Sequence, residues 1–223
     1  MEGLELEVLH PPSAVQLLHD ELRVEEQVHP FRAQPLRELE RLDDPGPLGD
    51  AAAVIEEGLN GRTMLWDDPF MDFRNGKPYL LPCLRSHQPV DVLVLMLGTN
   101  DLKTIFDRAP HEIAAGAGAL VDLALASRTG PDDAAPAVLL VAPPRLGETT
   151  DRSELWGFGE AREKAEALSR LYRNVAEFKN VAFLDAAELV VGDPGDGVHL
   201  GAADHGVLGR AVAGAVREIL AGR

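Results

Sequence analysis

The stretch "VDVLVLMLGTNDLKTIF" (residues 90–106) decides the fold. Its six consecutive apolar residues, Val92 to Leu97, are bounded by turn residues, a pattern typical of a strand covered on both faces in a parallel sheet. A Gly-Thr-Asn-Asp turn follows, where such a strand meets its loop. Because ligands bind at the carboxyl ends of parallel strands, this turn is a candidate functional position.

Strand-like and helix-like patterns alternate along the chain from about Gly49 onward. Strand patterns occur at 51–57, 91–97, 137–143 and 180–186, and helical patterns occur at 111–127, 160–178 and 202–220. Strands separated by helices in this order form parallel crossovers. The sequence therefore predicts an α/β protein with three α/β/α layers around a parallel central sheet.

The first part of the chain, residues 1–48, has a different pattern. Apolar residues at helical spacing from Val15 to Leu22 predict a helix. The run at 4–10 is strand-like, but it alternates apolar and acidic residues, which suits a half-exposed edge. We therefore divide the chain into an atypical N-terminal segment and an α/β domain at 49–223.

Composition limits the classes of partner and the compartment. The chain of 223 residues has 21 Lys and Arg against 37 Asp and Glu, a net charge of -16, so we expect neither nucleic acid nor an anionic membrane as a partner. Cys83 is the only cysteine, which excludes an internal disulfide. No signal-peptide or membrane-span pattern is present, and we expect a cytoplasmic protein.

A carboxylate and an imidazole lie three residues apart near the C-terminus. Asp196 and His199 stand in a glycine-flanked loop just before the last helical pattern. Asp196 could hold one imidazole nitrogen, so that the other faces a reacting group as a general base. The isolated motif also suits an ordinary surface loop in which the aspartate caps a turn, so both interpretations stay open.

Two further loops could contribute hydrogen-bond donors at the same edge of the sheet. The side-chain amide of Asn100 could stabilise an oxyanion, although Asn at such a position also caps turns and helices. Gly61, in the turn "EEGLNGRT" (56–63), could aim its backbone N–H at the same point, although a positive φ alone would explain this glycine. The three loops follow different strands and converge on one edge.

These motifs together resemble a known family. "GTND" after an apolar strand, "DGVH" before the final helix and the turn "EEGLNGRT" resemble the SGNH (GDSL-type) hydrolases, in particular their arylesterase and acyltransferase branch. The resemblance covers residues 49–223. It implies a flavodoxin-like fold and a serine nucleophile that acts on small acyl esters through an acyl-enzyme, with neither a metal nor an organic cofactor.

The resemblance also implies roles for individual residues. His199 would be the general base and Asp196 its orienting carboxylate. Asn100 and Gly61 would be the oxyanion donors, and Gly98 would let the backbone approach the substrate. We expect Asp101, by contrast, to cap the next helix.

The nucleophile of the family is missing from its expected place. The chain contains no Gly-Asp-Ser, so we expect the first strand to be atypical or missing. Ser13 is nearest the expected place, but it follows two prolines and is a weak candidate. Ser86 stands beside His87, but neighbouring residues on an extended segment point in opposite directions. The identity of the nucleophile therefore stays open.

Two explanations of the missing block remain. The sequence before about Gly49 could reflect a misread gene start, which we favour because the base, the carboxylate and the oxyanion donors are all in place. Alternatively, the protein has diverged and lost its nucleophile, and could be inactive or bind a small acylated ligand without turnover. The choice between hydrolysis and acyl transfer, the acyl and alcohol specificity, and the formation of a homo-oligomer are open.

A group of aromatic residues lies between the glycine turn and "GTND". Trp66, Phe70, Phe73 and Tyr79 could form a packing loop or line an acyl or alcohol pocket. The sequence favours neither.

Overall fold

Five parallel strands form the central sheet. The computed structural model describes the backbone of Ser13–His19 and all of residues 52–223. The strands are β1 (Ser13–His19), β2 (Ala52–Glu56), β3 (Val92–Met96), β4 (Ala137–Ala142) and β5 (Ala182–Asp185). Their order is β2-β1-β3-β4-β5, and every neighbouring pair is parallel. This is the strand order of flavodoxin-like folds, and the predicted parallel sheet is confirmed.

Helices cover both faces of the sheet. They are α1 (Gly76–Ser86), α2 (Pro110–Ala126), α3 (Asp151–Leu155), α4 (Ala161–Glu166), α5 (Leu168–Lys179) and α6 (Ala202–Ala221). Successive side chains of β3 point to opposite faces: Leu93 and Leu95 pack in a cluster with α1, α2 and α5, whereas Val92 and Val94 pack with α6. The predicted three-layer architecture is therefore confirmed.

The longest helix in the described part of the chain is α6, and it mixes small, apolar and charged residues over its 20 positions. Within the described residues, none of the helices has both the length and the apolar composition that crossing a membrane requires.

The structure corrects the helix predicted from Val15 to Leu22. Residues 13–19 form strand β1, which lies between β2 and β3 and pairs five residues with each of them. Helical spacing of apolar residues does not distinguish a short buried strand from a helix, and here pairing with two distant strands decides the conformation. The first strand is present in the sheet. The run at 4–10 lies outside the described residues, and the domain boundary near residue 49 stays a prediction.

A second correction concerns the segment around Ser86. This segment is helical and not extended, because Ser86 is the last residue of α1 and His87 is its C-cap. We expected an extended segment at Ser86, but the helix accommodates two prolines: Pro78 lies in the first turn, where backbone N–H groups have no partner within the helix, and Pro82 lies inside it. The side chain of Asn75 caps that turn by accepting the Lys77 N–H at 3.1 Å.

A buried tyrosine fixes the turn after β3. Tyr172 on α5 is fully buried and donates its hydroxyl hydrogen bond to the Leu97 carbonyl at 2.7 Å. Gly98 has a φ of +126°, and a Cβ at this position would lie 2.3 Å from the Tyr172 hydroxyl oxygen. Glycine is needed here because both the backbone angle and the space exclude a side chain.

We expect Gly98→Ala to lower the free energy of unfolding by about 1–3 kcal/mol or more, because alanine at a positive φ is strained and its methyl group would displace Tyr172. Equilibrium unfolding in urea measures this loss. Gly214→Ala is the matched control, since Gly214 lies inside α6 and a Cβ there would have no neighbouring atom within 4 Å. The free energy of unfolding of that variant should rise by about 0.5–1 kcal/mol. Equal stability of the two variants would contradict this account.

Candidate active site

The structure brings Asp196 and His199 into direct contact. The Oδ2 atom of Asp196 lies 2.6 Å from Nδ1 of His199. The other carboxylate oxygen, Oδ1, accepts the backbone N–H groups of Val198 and His199, each at 2.8 Å. One oxygen therefore fixes the loop and the other orients the imidazole. The ring is held with Nε2 directed away from the carboxylate.

These contacts determine the charge state of Asp196. Burial acts to raise the pKa of this carboxyl, but the backbone N–H and the imidazole of His199, with the Val198 N–H, hold the pKa below its ordinary value. The ionised carboxylate accepts a hydrogen bond from Nδ1–H, which leaves the lone pair on Nε2. Nε2 is then able to take a proton from a reacting group.

Close backbone contacts hold this loop in place. The Gly147 N–H donates to the Gly197 carbonyl at 2.8 Å, and the Gly192 N–H donates to the Arg145 carbonyl at 2.8 Å. A Cβ on Gly197 would lie 2.1 Å from the carbonyl oxygen of Glu148. The glycines thus allow the loop before α6 to pack directly on the loop after β4.

The two predicted oxyanion donors lie on adjoining turns. Asn100 opens a buried 3-10 turn after β3, and its Nδ2 donates to the Arg62 carbonyl at 3.3 Å. Gly61 precedes Arg62 and has a φ of +79°. An amide NH₂ group has two N–H donors, so this contact leaves the second one for another acceptor.

Asp101 does not have the expected role. The sequence predicts that it caps the next helix, but its Oδ1 accepts the backbone N–H of Met64 at 3.0 Å. Asp101 is fully buried, and it ties the loop after β2 to the turn after β3. The capping prediction is wrong because the Asp101 carboxylate accepts a backbone N–H from Met64, on a loop 37 residues earlier in the chain.

Trp156 is a site residue that sequence analysis missed. Its ring meets the His199 imidazole edge to face, with centroids 5.4 Å apart and an interplanar angle of 82°. The neighbouring Gly157 carbonyl accepts the Thr104 N–H at 2.9 Å, which joins this segment to the loop that follows Asn100. No motif marks Trp156, because only the loop after β4 brings it to His199.

Gly98 has a structural reason for being glycine. The direction that a side chain would take is filled by Tyr172. Its role in letting the backbone approach a substrate therefore stays a prediction.

The serines with described side chains all have partners other than His199. Their hydroxyls donate as follows: Ser86 to Pro82 O at 2.9 Å, Ser127 to Ala124 O at 2.7 Å, Ser153 to Thr150 O at 3.1 Å, and Ser169 to the Asp185 carboxylate. The carbonyls of Pro82 and Ala124 lie near the carboxyl ends of α1 and α2. These helices lead to the amino ends of β3 and β4, at the edge of the sheet opposite the candidate site. None of the four hydroxyls forms a described hydrogen bond with the candidate base.

Ser13, the weak candidate nucleophile, lies at the amino end of β1. His19 ends the same strand at the edge where the candidate site is built. Six residues of extended chain separate these positions, a distance of roughly 20 Å. This placement argues against Ser13 as the nucleophile.

The four aromatic residues after the glycine turn do not line one pocket wall in the described part of the chain. Trp66 and Tyr79 are partly buried and pack against the core. Phe70 and Phe73 are 81% and 89% exposed. The packing interpretation therefore holds for the first pair, and the second pair faces solvent.

Comparisons with known proteins identify the family. The sequence model of the GDSL-like lipase/acylhydrolase family matches residues 27–207. This protein belongs to the GDSL-like lipase/acylhydrolase family. The resemblance noted from "GTND" and "DGVH" is thereby confirmed, and the family makes the protein an ester-hydrolysing enzyme. The comparison with curated protein sequences found no match.

Solved structures support the same assignment. A carbohydrate acetylesterase from Sinorhizobium meliloti is 37% identical with a TM-score of 0.84, and the match covers 93% of this chain and 100% of that one. The M. smegmatis aryl esterase is 36% identical with a TM-score of 0.83, at the same coverage of both chains. An acetylxylan esterase from Geobacillus stearothermophilus, at 19% identity and a TM-score of 0.58 over 93% of this chain and 95% of that one, shares the fold.

The lowered pKa of Asp196 predicts a pH-dependent loss of stability in Asp196→Asn. A carboxyl with a depressed folded pKa contributes stability that is fully present above its ordinary value near 3.8 and is lost as pH falls through the folded pKa. The difference in unfolding free energy between the parent and the variant should therefore be largest near neutral pH and shrink below about pH 4. Urea unfolding across pH measures it. The exposed Asp132→Asn variant is the control, and a pH-independent difference for Asp196→Asn would contradict the assignment.

Proposed function

We propose that this protein hydrolyses carboxylic esters of small acyl groups, with His199 as general base, Asp196 as its orienting group, and Asn100 and Gly61 as oxyanion donors. The observation that carries the proposal is the 2.6 Å contact between Asp196 Oδ2 and His199 Nδ1, which leaves Nε2 as the basic atom. The contact between Asn100 and Arg62 supports it, because it brings the two donor turns together.

The oxyanion donors act on the charge that develops during attack. As the ester carbonyl becomes tetrahedral, its oxygen becomes an oxyanion that can accept from the second N–H of Asn100 and from the Gly61 N–H. Donors held in place before the reaction need no reorganisation, and removal of one such donor typically costs about 10²- to 10³-fold in rate. The bond from Asn100 to Arg62 supports this role, since it fixes the amide beside the Gly61 turn.

The acyl-serine route of the family needs a serine hydroxyl at Nε2 of His199. The placement of the five serines favours a different attacking group, because four are bonded elsewhere and Ser13 is at the opposite end of β1. We assign the attack to water. His199 takes one proton from water, the hydroxide adds to the carbonyl, and the collapsing intermediate expels the alkoxide, which takes the proton from the imidazolium. The products are one carboxylic acid and one alcohol.

The substrate class follows from the relatives and from the wall of the site. The similar structures are described as a carbohydrate acetylesterase and an aryl esterase, so we propose acetyl and other short acyl esters of sugars or aryl alcohols. Trp156 is 38% exposed beside His199 and offers an apolar surface for such an alcohol. An alcohol that replaces water beside the same base would give acyl transfer. The access of water to the cleft then sets the balance between hydrolysis and acyl transfer.

The placement of the serines also favours a second candidate function. Without a nucleophile, the same cleft could hold a small acylated ligand without turnover. Ester binding with no hydrolysis above the buffer rate would support this module and would contradict the enzyme.

We expect His199→Ala to lower kcat/KM for p-nitrophenyl acetate by about 10²- to 10⁴-fold, because the variant lacks the general base. Steady-state kinetics at neutral pH measures the change. His111→Ala is the matched control, since His111 is exposed on α2, and its rate should equal that of the parent. An unchanged rate in His199→Ala would place the chemistry elsewhere.

Reaction with a serine-directed fluorophosphonate distinguishes the two attacking groups. We expect no covalent adduct on the folded protein, as measured by intact mass, because no described serine hydroxyl contacts His199. Ester hydrolysis under the same conditions should continue without a burst of released alcohol. An adduct on one serine that disappears in His199→Ala would instead establish the acyl-serine route, and peptide mapping would identify the nucleophile.

A further inference from the structure

Three potential metal ligands, one each from Glu57, Cys83 and His87, meet beside the glycine turn. Glu57 follows β2 directly, and Cys83 and His87 lie four residues apart along α1 and its C-cap. Positions four residues apart on a helix share one face, so both side chains point to the same side. Glu57 meets them there from the sheet.

The distances between the ligand atoms are close to those of a metal site. One ligand atom from each residue lies within 4.8 Å of the other two. Oε1 of Glu57 is 2.9 Å from Nε2 of His87. Tetrahedral zinc with bonds of about 2.0–2.3 Å separates its ligand atoms by roughly 3.3–3.6 Å, so the group needs adjustments of only about an ångström.

The surroundings suit a bound cation with one open position. Cys83 is buried, whereas the His87 side chain is 34% exposed, which provides a route for the ion and for one water. The Tyr79 hydroxyl donates to Oε2 of Glu57 and also contacts Cys83. The hydrogen bond from the Tyr79 phenol holds the Glu57 carboxylate in place.

We propose that Glu57, Cys83 and His87 bind one divalent transition-metal ion of the zinc type, with water as the fourth ligand. A thiolate with an imidazole selects zinc and similar ions over magnesium or calcium, which prefer oxygen ligands. Binding displaces the thiol proton and replaces the direct contact between Glu57 and His87, and the charge of the ion compensates the two anionic ligands. The alternative is that these side chains form only a hydrogen-bond network, without a metal ion.

The ion would have a structural role next to the candidate active site. The backbone carbonyl of Glu57 accepts from Nη2 of Arg62 at 3.4 Å, and the Arg62 guanidinium lies over the Tyr79 ring at 4.2 Å. Arg62 in turn accepts from Asn100 through its own carbonyl. A metal at this place would therefore fasten the turn that contains Gly61 to α1. This inference does not depend on the proposed hydrolysis.

Cobalt(II) titration of the reduced, untagged full chain tests the site. Cys83 is the only cysteine, so a thiolate-to-cobalt charge-transfer band in the near ultraviolet reports this position alone. We expect one equivalent of cobalt to produce the band and zinc to abolish it by competition. The band should be lost in Cys83→Ser, and the affinity should fall at least about tenfold in Tyr79→Phe, which lacks the outer hydrogen bond.

Matched variants and a native-state measurement complete the test. His87→Ala should lose at least tenfold in cobalt affinity, whereas Ser86→Ala, one residue away and exposed, should bind like the parent. In the unmodified protein, zinc should slow alkylation of Cys83 at least tenfold. The absence of the band at saturating cobalt, an unchanged affinity in His87→Ala, or unchanged alkylation with zinc would each overturn the proposal and leave the hydrogen-bond network.

Discussion

Parallel pairing of the five strands is the constraint on which the site depends, because it makes every strand end at the same edge of the sheet. The turns after β2 and β3 contain Gly61 and Asn100, and the loop after β4 contains Trp156. The segment between β5 and α6 brings His199 to the same edge. Residues that are distant in the chain, such as Trp156 and His199 or Arg62 and Asn100, become neighbours through this one topological rule.

Backbone contacts between these loops turn a shared edge into a defined geometry. Asn100 holds the Gly61 turn through the Arg62 carbonyl, and the Thr104 N–H holds the segment of Trp156 through Gly157. The loop of His199 packs on the loop after β4 through glycine carbonyls and amides. The backbone bonds restrict the loops without using side chains, and Asn100 uses one N–H of its amide for the Arg62 carbonyl, which leaves the other for an acceptor. The proposed base and the proposed oxyanion donors are thus positioned by contacts that involve none of the serines.

A chain without Gly-Asp-Ser therefore keeps the contacts of the other proposed site residues, Asp196, His199 and Asn100. Asp196 needs only its own loop to bind His199, since both of its oxygens accept from residues 198 and 199. Asn100 needs only the neighbouring turn. Strand β1, which precedes the expected nucleophile, is needed for the sheet itself, because β2 and β3 both pair with it. Pairing on both sides therefore fixes the backbone of β1 within the sheet.

The sequence by itself determined β2 to β5 and the three layers, because these follow from apolar runs and helical periodicity. It offered Asp196 and His199, three residues apart, as a candidate pair, and the structure shows their contact. Only the tertiary structure decided that residues 13–19 form a strand, that Asp101 accepts from Met64, and that Trp156 contacts His199. It also brought Glu57 to Cys83 and His87. The physical reason is the same in each case: the partner that fixes the residue lies far away in the chain, where local patterns give no signal.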